Sequence, residues 1–95
     1  MLGRIRILRS TDKVLEFEIE GEDHTLCNVL CSELFNDPHV VYASYKIDHP
    51  LIGFPRVYVE TDGSKLPLTA VIDAAMRIKG YAAEFKRLFE SAIKG

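Results

Sequence analysis

The sequence has no tryptophan, only two cysteines and two methionines, and no excess of charge of either sign, with 12 lysines and arginines against 14 aspartates and glutamates. A net charge of −2 gives no general attraction to phosphate backbones or anionic lipid, so neither direct nucleic-acid binding nor membrane binding is expected. No apolar run approaches the ~18 residues of a membrane span. The opening segment, Met1 to Arg9, alternates arginine with isoleucine and lacks the apolar centre of a secretory leader. Cys27 and Cys31 stand four apart in a helical pattern, which suits two parallel thiols better than a disulfide and points to reducing, cytoplasmic surroundings. The six glycines are scattered at Gly3, Gly21, Gly53, Gly63, Gly80 and Gly95, which excludes a glycine-rich phosphate loop.

What is present suits a folded chain. Apolar residues make up 47% and charged residues 27%, close to ordinary globular usage and far from the composition of disordered chains. Ninety-five residues fit one domain, 1–95, and a chain of that size buries only about 60–65% of its unfolded surface. Its core is therefore modest, and spare apolar surface is expected to be shared with a partner.

Hydrophobic periodicity divides the chain into four strands and two helices. Ile5 and Ile7 alternate with Arg4 and Arg6, and Leu15, Phe17 and Ile19 alternate with Glu16, Glu18 and Glu20. With Ser10-Thr11-Asp12-Lys13 as a turn, these runs predict an antiparallel hairpin whose arginines face the glutamates. A first helix is predicted from near Asp23, a capping acceptor, to Phe35, with Leu26, Val29, Leu30 and Leu34 on its apolar side, and Asn36-Asp37-Pro38 ends it. Val40–Ile47 and Arg56–Thr61 read as further strands, separated by a loop with two prolines, and Asp62-Gly63 reads as a turn. The order of elements does not alternate as in a parallel doubly wound sheet. It predicts an α+β fold, a four-stranded mainly antiparallel sheet with two helices on one face.

The last helix is predicted to begin at Pro67, and from Leu68 the residues Val71, Ala75, Ile78, Ala82, Phe85, Phe89 and Ala92 follow alternating steps of three and four. A helix from Pro67 to Lys94 would be about 40 Å long, against a diameter of about 30 Å for a compact domain of this size. This mismatch predicts a long, overhanging helix whose distal Phe85, Leu88 and Phe89 are covered by another polypeptide. Gly80 is the one residue that opposes continuity, since a mid-helix glycine costs about 1 kcal/mol relative to alanine.

Residues able to carry chemistry are few. His24, Cys27 and Cys31 lie along one helix edge, but no fourth ligand has a matching spacing, and buried cysteines commonly act as small hydrophobes, so no metal is expected. Asp48-His49-Pro50 reads as a strand exit in preference to a catalytic pair. Tyr42, Tyr45 and Tyr58 with Arg56 would suit a nucleic-acid face, yet Glu16, Glu18, Glu20 and Glu60 are close by on the strands and oppose it. No catalytic residue and no cofactor is expected.

Three segments carry a family resemblance: Gly21-Glu22-Asp23-His24-Thr25-Leu26-Cys27-Asn28, Ala43-Ser44-Tyr45-Lys46-Ile47-Asp48-His49-Pro50-Leu51, and Thr61-Asp62-Gly63. In them the chain resembles the smaller alpha-like subunits of RNA polymerases, the archaeal subunit L family, and more distantly the N-terminal domain of the bacterial alpha subunit. The resemblance spans nearly the whole chain, and a start directly on the first strand favours an archaeal source. It implies the alpha-like dimerisation fold and a non-catalytic assembly role. The chain would pair with the larger alpha-like polymerase component, the D subunit, and the pair would then recruit subunits N and P and the large catalytic subunits. It also implies that the first and last helices form the pairing core, through Leu26, Leu30, Leu34, Val71, Ala75, Ile78, Ala82, Phe85 and Phe89. Asp23, His24, Thr25, Leu26, Asn28, His49 and Pro50 match the family motifs and are expected to shape the start of the first helix and the loop beside it. The chain departs from the pattern at Cys27, where the family usually has glycine, and at Leu66, where it usually has a serine or threonine cap. A self-associating helical module outside any polymerase is the alternative reading.

Overall fold

The structure, a computed structural model, describes residues 4–20, 24–47, 54–78 and 82–94. The N-terminal hairpin forms as the alternation predicts: β1 (Arg4–Ser10) pairs antiparallel with β2 (Val14–Glu20), with Arg4 opposite Glu20 and Arg6 opposite Glu18. Thr11 closes the turn, its amide donating to the Val14 carbonyl at 2.7 Å and its hydroxyl accepting from the Val14 amide at 2.9 Å. On the polar face Arg4 Nε meets Glu20 Oε2 at 2.7 Å. A bulge between Ile7 and Arg9 shifts the register near the turn.

β3 (Val40–Lys46) and β4 (Arg56–Thr61) complete the sheet in the order β1-β2-β4-β3, with every neighbouring pair antiparallel. Period-two alternation then sorts the side chains. Ile5, Leu15, Phe17, Ile19, Ala43, Val57 and Val59 are buried on one face, while Glu16, Tyr42, Ser44 and Tyr58 are left on the other. The helices cover the first face side by side: α1 (His24–Phe35) lies over β3, α2 (Pro67–Arg77) over β4 and β2, and α3 (Ala82–Lys94) over β1.

The C-terminal segment corrects the sequence-based expectation. It is two helices, not one long rod: α2 ends at Arg77, and Ile78 leaves the helix in an extended conformation, φ −94° and ψ 105°. Gly80 lies outside the described residues. The molecule measures 36 × 26 × 25 Å, shorter in its longest dimension than the predicted rod. The physical reason is burial. With α3 laid back on β1, Phe89 is 0% exposed and stacks edge-to-face on Phe17, ring centroids 5.0 Å apart, and Leu88 is buried beside it. The steps of three and four that suggested one seam are satisfied equally well by two helices that each face the same sheet.

Candidate protein-pairing surface

Six of the nine residues predicted to meet a partner are enclosed by the chain's own fold. Leu26, Leu30 and Leu34 of α1, Val71 and Ala75 of α2, and Phe89 of α3 all belong to one core cluster with the strand residues. Ile78 is half-buried and packs against that cluster. The side chains of Ala82 and Phe85 lie outside the described residues. Phe89 is thus a correction, since it is a core residue and not an overhanging anchor. Of the motif residues, Thr25 and Asn28 are exposed along α1 and Leu26 is core, whereas Asp23, His49, Pro50 and the His24 side chain lie outside the described residues.

What α1 and α2 turn outward is a different set. Val29 is 42% and Met76 65% exposed, with Ile72 half-exposed on the same side of α2. The helix period explains why Val29 is on this set and not in the core. The buried residues Leu26, Cys27, Leu30, Cys31 and Leu34 centre the apolar arc near Leu34 and Leu30, and Val29 falls about 130° away at 100° per residue. Its neighbours on the outer side are the small or short Thr25, Asn28 and Ser32, and Asn28, Val29, Ser32 and Glu33 line a shallow depression of about 250 Å³. Arg77 holds α1 and α2 together, its Nε meeting Glu33 Oε2 at 2.9 Å and its Nη2 donating to the Glu33 carbonyl at 2.7 Å. The two helices therefore present one fixed surface.

Polar groups tie the start of α2 to the turn after α1. Lys65, just before α2, places Nζ 2.6 Å from Asp37 Oδ2 and 2.6 Å from Asp73 Oδ2. Burial pushes the Asp37 carboxyl up, but the Lys65 hydrogen bond and the His39 amide outweigh it and hold the group below the ordinary carboxylate value. Asp37 and Asp73 in turn raise Lys65. Sequence reasoning missed this cluster, because Asp37 reads as a helix stop and the other two members are 28 and 36 residues away in a chain whose folding alone brings them together.

The cysteines are both buried and not joined in a disulfide, and burial pushes the Cys31 thiol up to about 11, which disfavours the thiolate that nucleophilic or metal chemistry requires. Cys27 is fully enclosed, so its sulfur fills the core and does not stand between α1 and a neighbour. Among the described residues no group of three His, Cys, Asp or Glu gathers as a metal site, and no helix is long and apolar enough to cross a membrane.

The family described as the RNA polymerase Rpb3/Rpb11 dimerisation domain matches residues 14–88, from β2 through the first half of α3. The chain belongs to this family. Similar proteins within it include the DNA-directed RNA polymerase subunit Rpo11 of Pyrococcus abyssi, 40% identical over 94 residues that cover 97% of this chain and 99% of that one. The Rpo11 subunit of Methanothermobacter thermautotrophicus is 48% identical over 82 residues, covering 84% and 93% respectively. A crystal structure of DNA-directed RNA polymerase subunit L from Thermoplasma acidophilum superposes with a TM-score of 0.70 at 26% identity, over 95% of this chain and 88% of that one. The antiparallel four-stranded sheet with helices on one face is thus the alpha-like dimerisation fold of Rpb3/Rpb11 domains.

Proposed function

We propose that this chain, acting as one domain over 1–95, is the smaller alpha-like subunit of an archaeal DNA-directed RNA polymerase. In this reading it is a cytoplasmic assembly subunit with no catalytic site of its own, and it pairs with the larger alpha-like component, the D subunit. The pair then serves as the platform on which subunits N and P and the large subunits assemble. The observation that carries the reading is the match of residues 14–88 to a dimerisation domain, together with near full-length similarity to Rpo11 subunits.

The physical complement is the outward side of α1 and α2. Leu26, Leu30, Leu34, Val71 and Ala75 fix the two helices from inside, and Val29, Ile72 and Met76 offer the apolar surface that a partner helix would cover. Ile78, and with it Ala82 and Phe85, would extend that contact at the α2 end. Small side chains on α1 favour close approach of the partner.

Co-expression with a candidate D subunit tests this. The native chain is expected to co-purify as a one-to-one heterodimer. Val29→Glu with Met76→Glu should weaken pairing by about 2 kcal/mol or more, because a charge would be buried without a partner, and should leave the isolated chain folded. A stable homodimer indifferent to the D subunit would overturn the proposal and favour a self-associating module.

A further inference from the structure

Among the described residues nothing covers the sheet face turned away from the helices, and its two edges differ. The β1 edge carries Arg4, Arg6 and Arg9, charges that discourage the addition of another strand. The β3 edge carries no charge from Val40 to Tyr45, and after its bulge between Val40 and Tyr42 it runs in unbroken register from Tyr42 opposite Glu60 to Lys46 opposite Arg56. Among the described residues no strand pairs with its outer side. Val41 is 57% and Tyr42 50% exposed there.

Beside this edge lies an aromatic ladder. Phe35, the last residue of α1 and 55% exposed, meets Tyr42 edge-on at 6.5 Å, and Tyr42 meets Tyr58 at 6.0 Å. At the end of the ladder sits the Glu60 carboxylate, which accepts the Tyr58 hydroxyl at 3.1 Å and has no cationic partner among the described residues. By contrast, Glu16 and Glu20 on the same face meet Arg9 and Arg4. Lys46 and Arg56 share the groove of about 570 Å³ that these residues line, but they stand four residues along the strands from Tyr42 and Glu60, or about 13 Å.

We propose that the β3 edge takes up an extended segment of a partner protein as a fifth strand, with an arginine of that segment lying on Tyr42 and Phe35 and paired with Glu60. Each part of the site matches one part of that occupant. The outward main-chain groups of β3 match a strand, the aromatic faces match a guanidinium plane, and the carboxylate matches its charge. The site uses none of Val29, Ile72 and Met76, the residues proposed above for helix pairing, and apart from Phe35 at the end of α1 it lies on the opposite face of the sheet.

The test uses the full chain labelled with ¹⁵N and two capped peptides of about seven residues, alternating threonine and valine around a central arginine or, in the control, citrulline. Saturable shifts centred on the amides of 40–46, with the arginine peptide binding about tenfold more tightly than the citrulline peptide, are expected. Glu60→Gln keeps an acceptor for Tyr58, so the fold should persist while the two peptides come within about twofold of one another. Equal affinities for the native chain, shifts centred on β1 or on the helices, or no saturable shift at millimolar peptide would overturn the proposal. So would displacement of the peptide by a single-stranded oligonucleotide, which would make the same aromatic ladder a base-stacking face.

Discussion

Asp37, in the turn after α1, is tied through Lys65 to the connection before α2 and to Asp73 within that helix. Its side chain is 3% exposed, and Lys65, itself 23% exposed, holds it at 2.6 Å while also holding Asp73. Asp37→Ala is expected to lower the stability of the isolated chain by about 2 kcal/mol at pH 7 in urea unfolding, less than for a fully buried pair because Lys65 keeps Asp73 and some water. The pH dependence has a definite sign. The folded Asp37 carboxyl lies below its ordinary value, so its contribution is present above about pH 4 and is lost as pH falls through the folded value. Lys65 lies above its ordinary value, so its contribution is complete below about pH 10 and fades as pH rises through the folded value. Unfolding curves of native and Asp37→Ala protein should therefore converge in acid. A constant gap from pH 7 to pH 2 would contradict this account.

Among the elements, α2 is the one with a correctable defect. Pro67 supplies the favoured first position, but Leu66 stands at the N-cap with φ −64° and ψ 140° and makes no side-chain capping bond. Its extended backbone is the conformation a capping residue adopts, and the side chain is exposed, so replacing it removes nothing from the core. Leu66→Asp should therefore stabilise the chain by about 0.5–1 kcal/mol through a bond to a first-turn amide and the helix dipole. A raised Tm in thermal unfolding checks this, and an unchanged or lowered Tm counts against it. The turn leading into α2 has a stricter requirement. Gly63 has φ 94°, a left-handed conformation that any side chain would strain, while Ser64 donates its amide to Asp62 Oδ1 at 2.8 Å and the Thr61 hydroxyl donates to the Lys65 carbonyl at 2.7 Å.

For the whole molecule, the decisive contact is between the first hairpin and the last helix. Phe17 and Phe89 are both fully buried and meet edge-to-face, so the two ends of the chain close one core whose radius of gyration is 12.1 Å. Phe89→Ala should cost the isolated chain about 3 kcal/mol in urea unfolding, a large share of the roughly 5–15 kcal/mol typical of folded domains. The rod expected from the periodicity makes the opposite prediction, with pairing lost and isolated stability kept. Met76→Glu provides the contrast within the same molecule, since a residue 65% exposed contributes little to folding and should change pairing alone.

By itself the sequence determined the strands, the first helix, the Asp62-Gly63 turn and the family, because alternation of apolar residues, turn chemistry and the two motif segments are local properties of the chain. It also determined which side chains are apolar enough to form a core. Only the tertiary structure decided what those side chains face. Val29 and Leu30 are adjacent and both apolar, yet one is exposed and the other enclosed, since α1 lies on the sheet at one rotation only. The three- and four-residue steps from Leu68 to Ala92 have the same phase in one helix or in two, and the choice between them rests on whether Phe89 finds Phe17, a residue 72 positions earlier. The Asp37–Lys65–Asp73 cluster and the placement of Glu60 beside the tyrosines are likewise consequences of packing, because the distance between charges is set by the fold and not by their spacing along the chain.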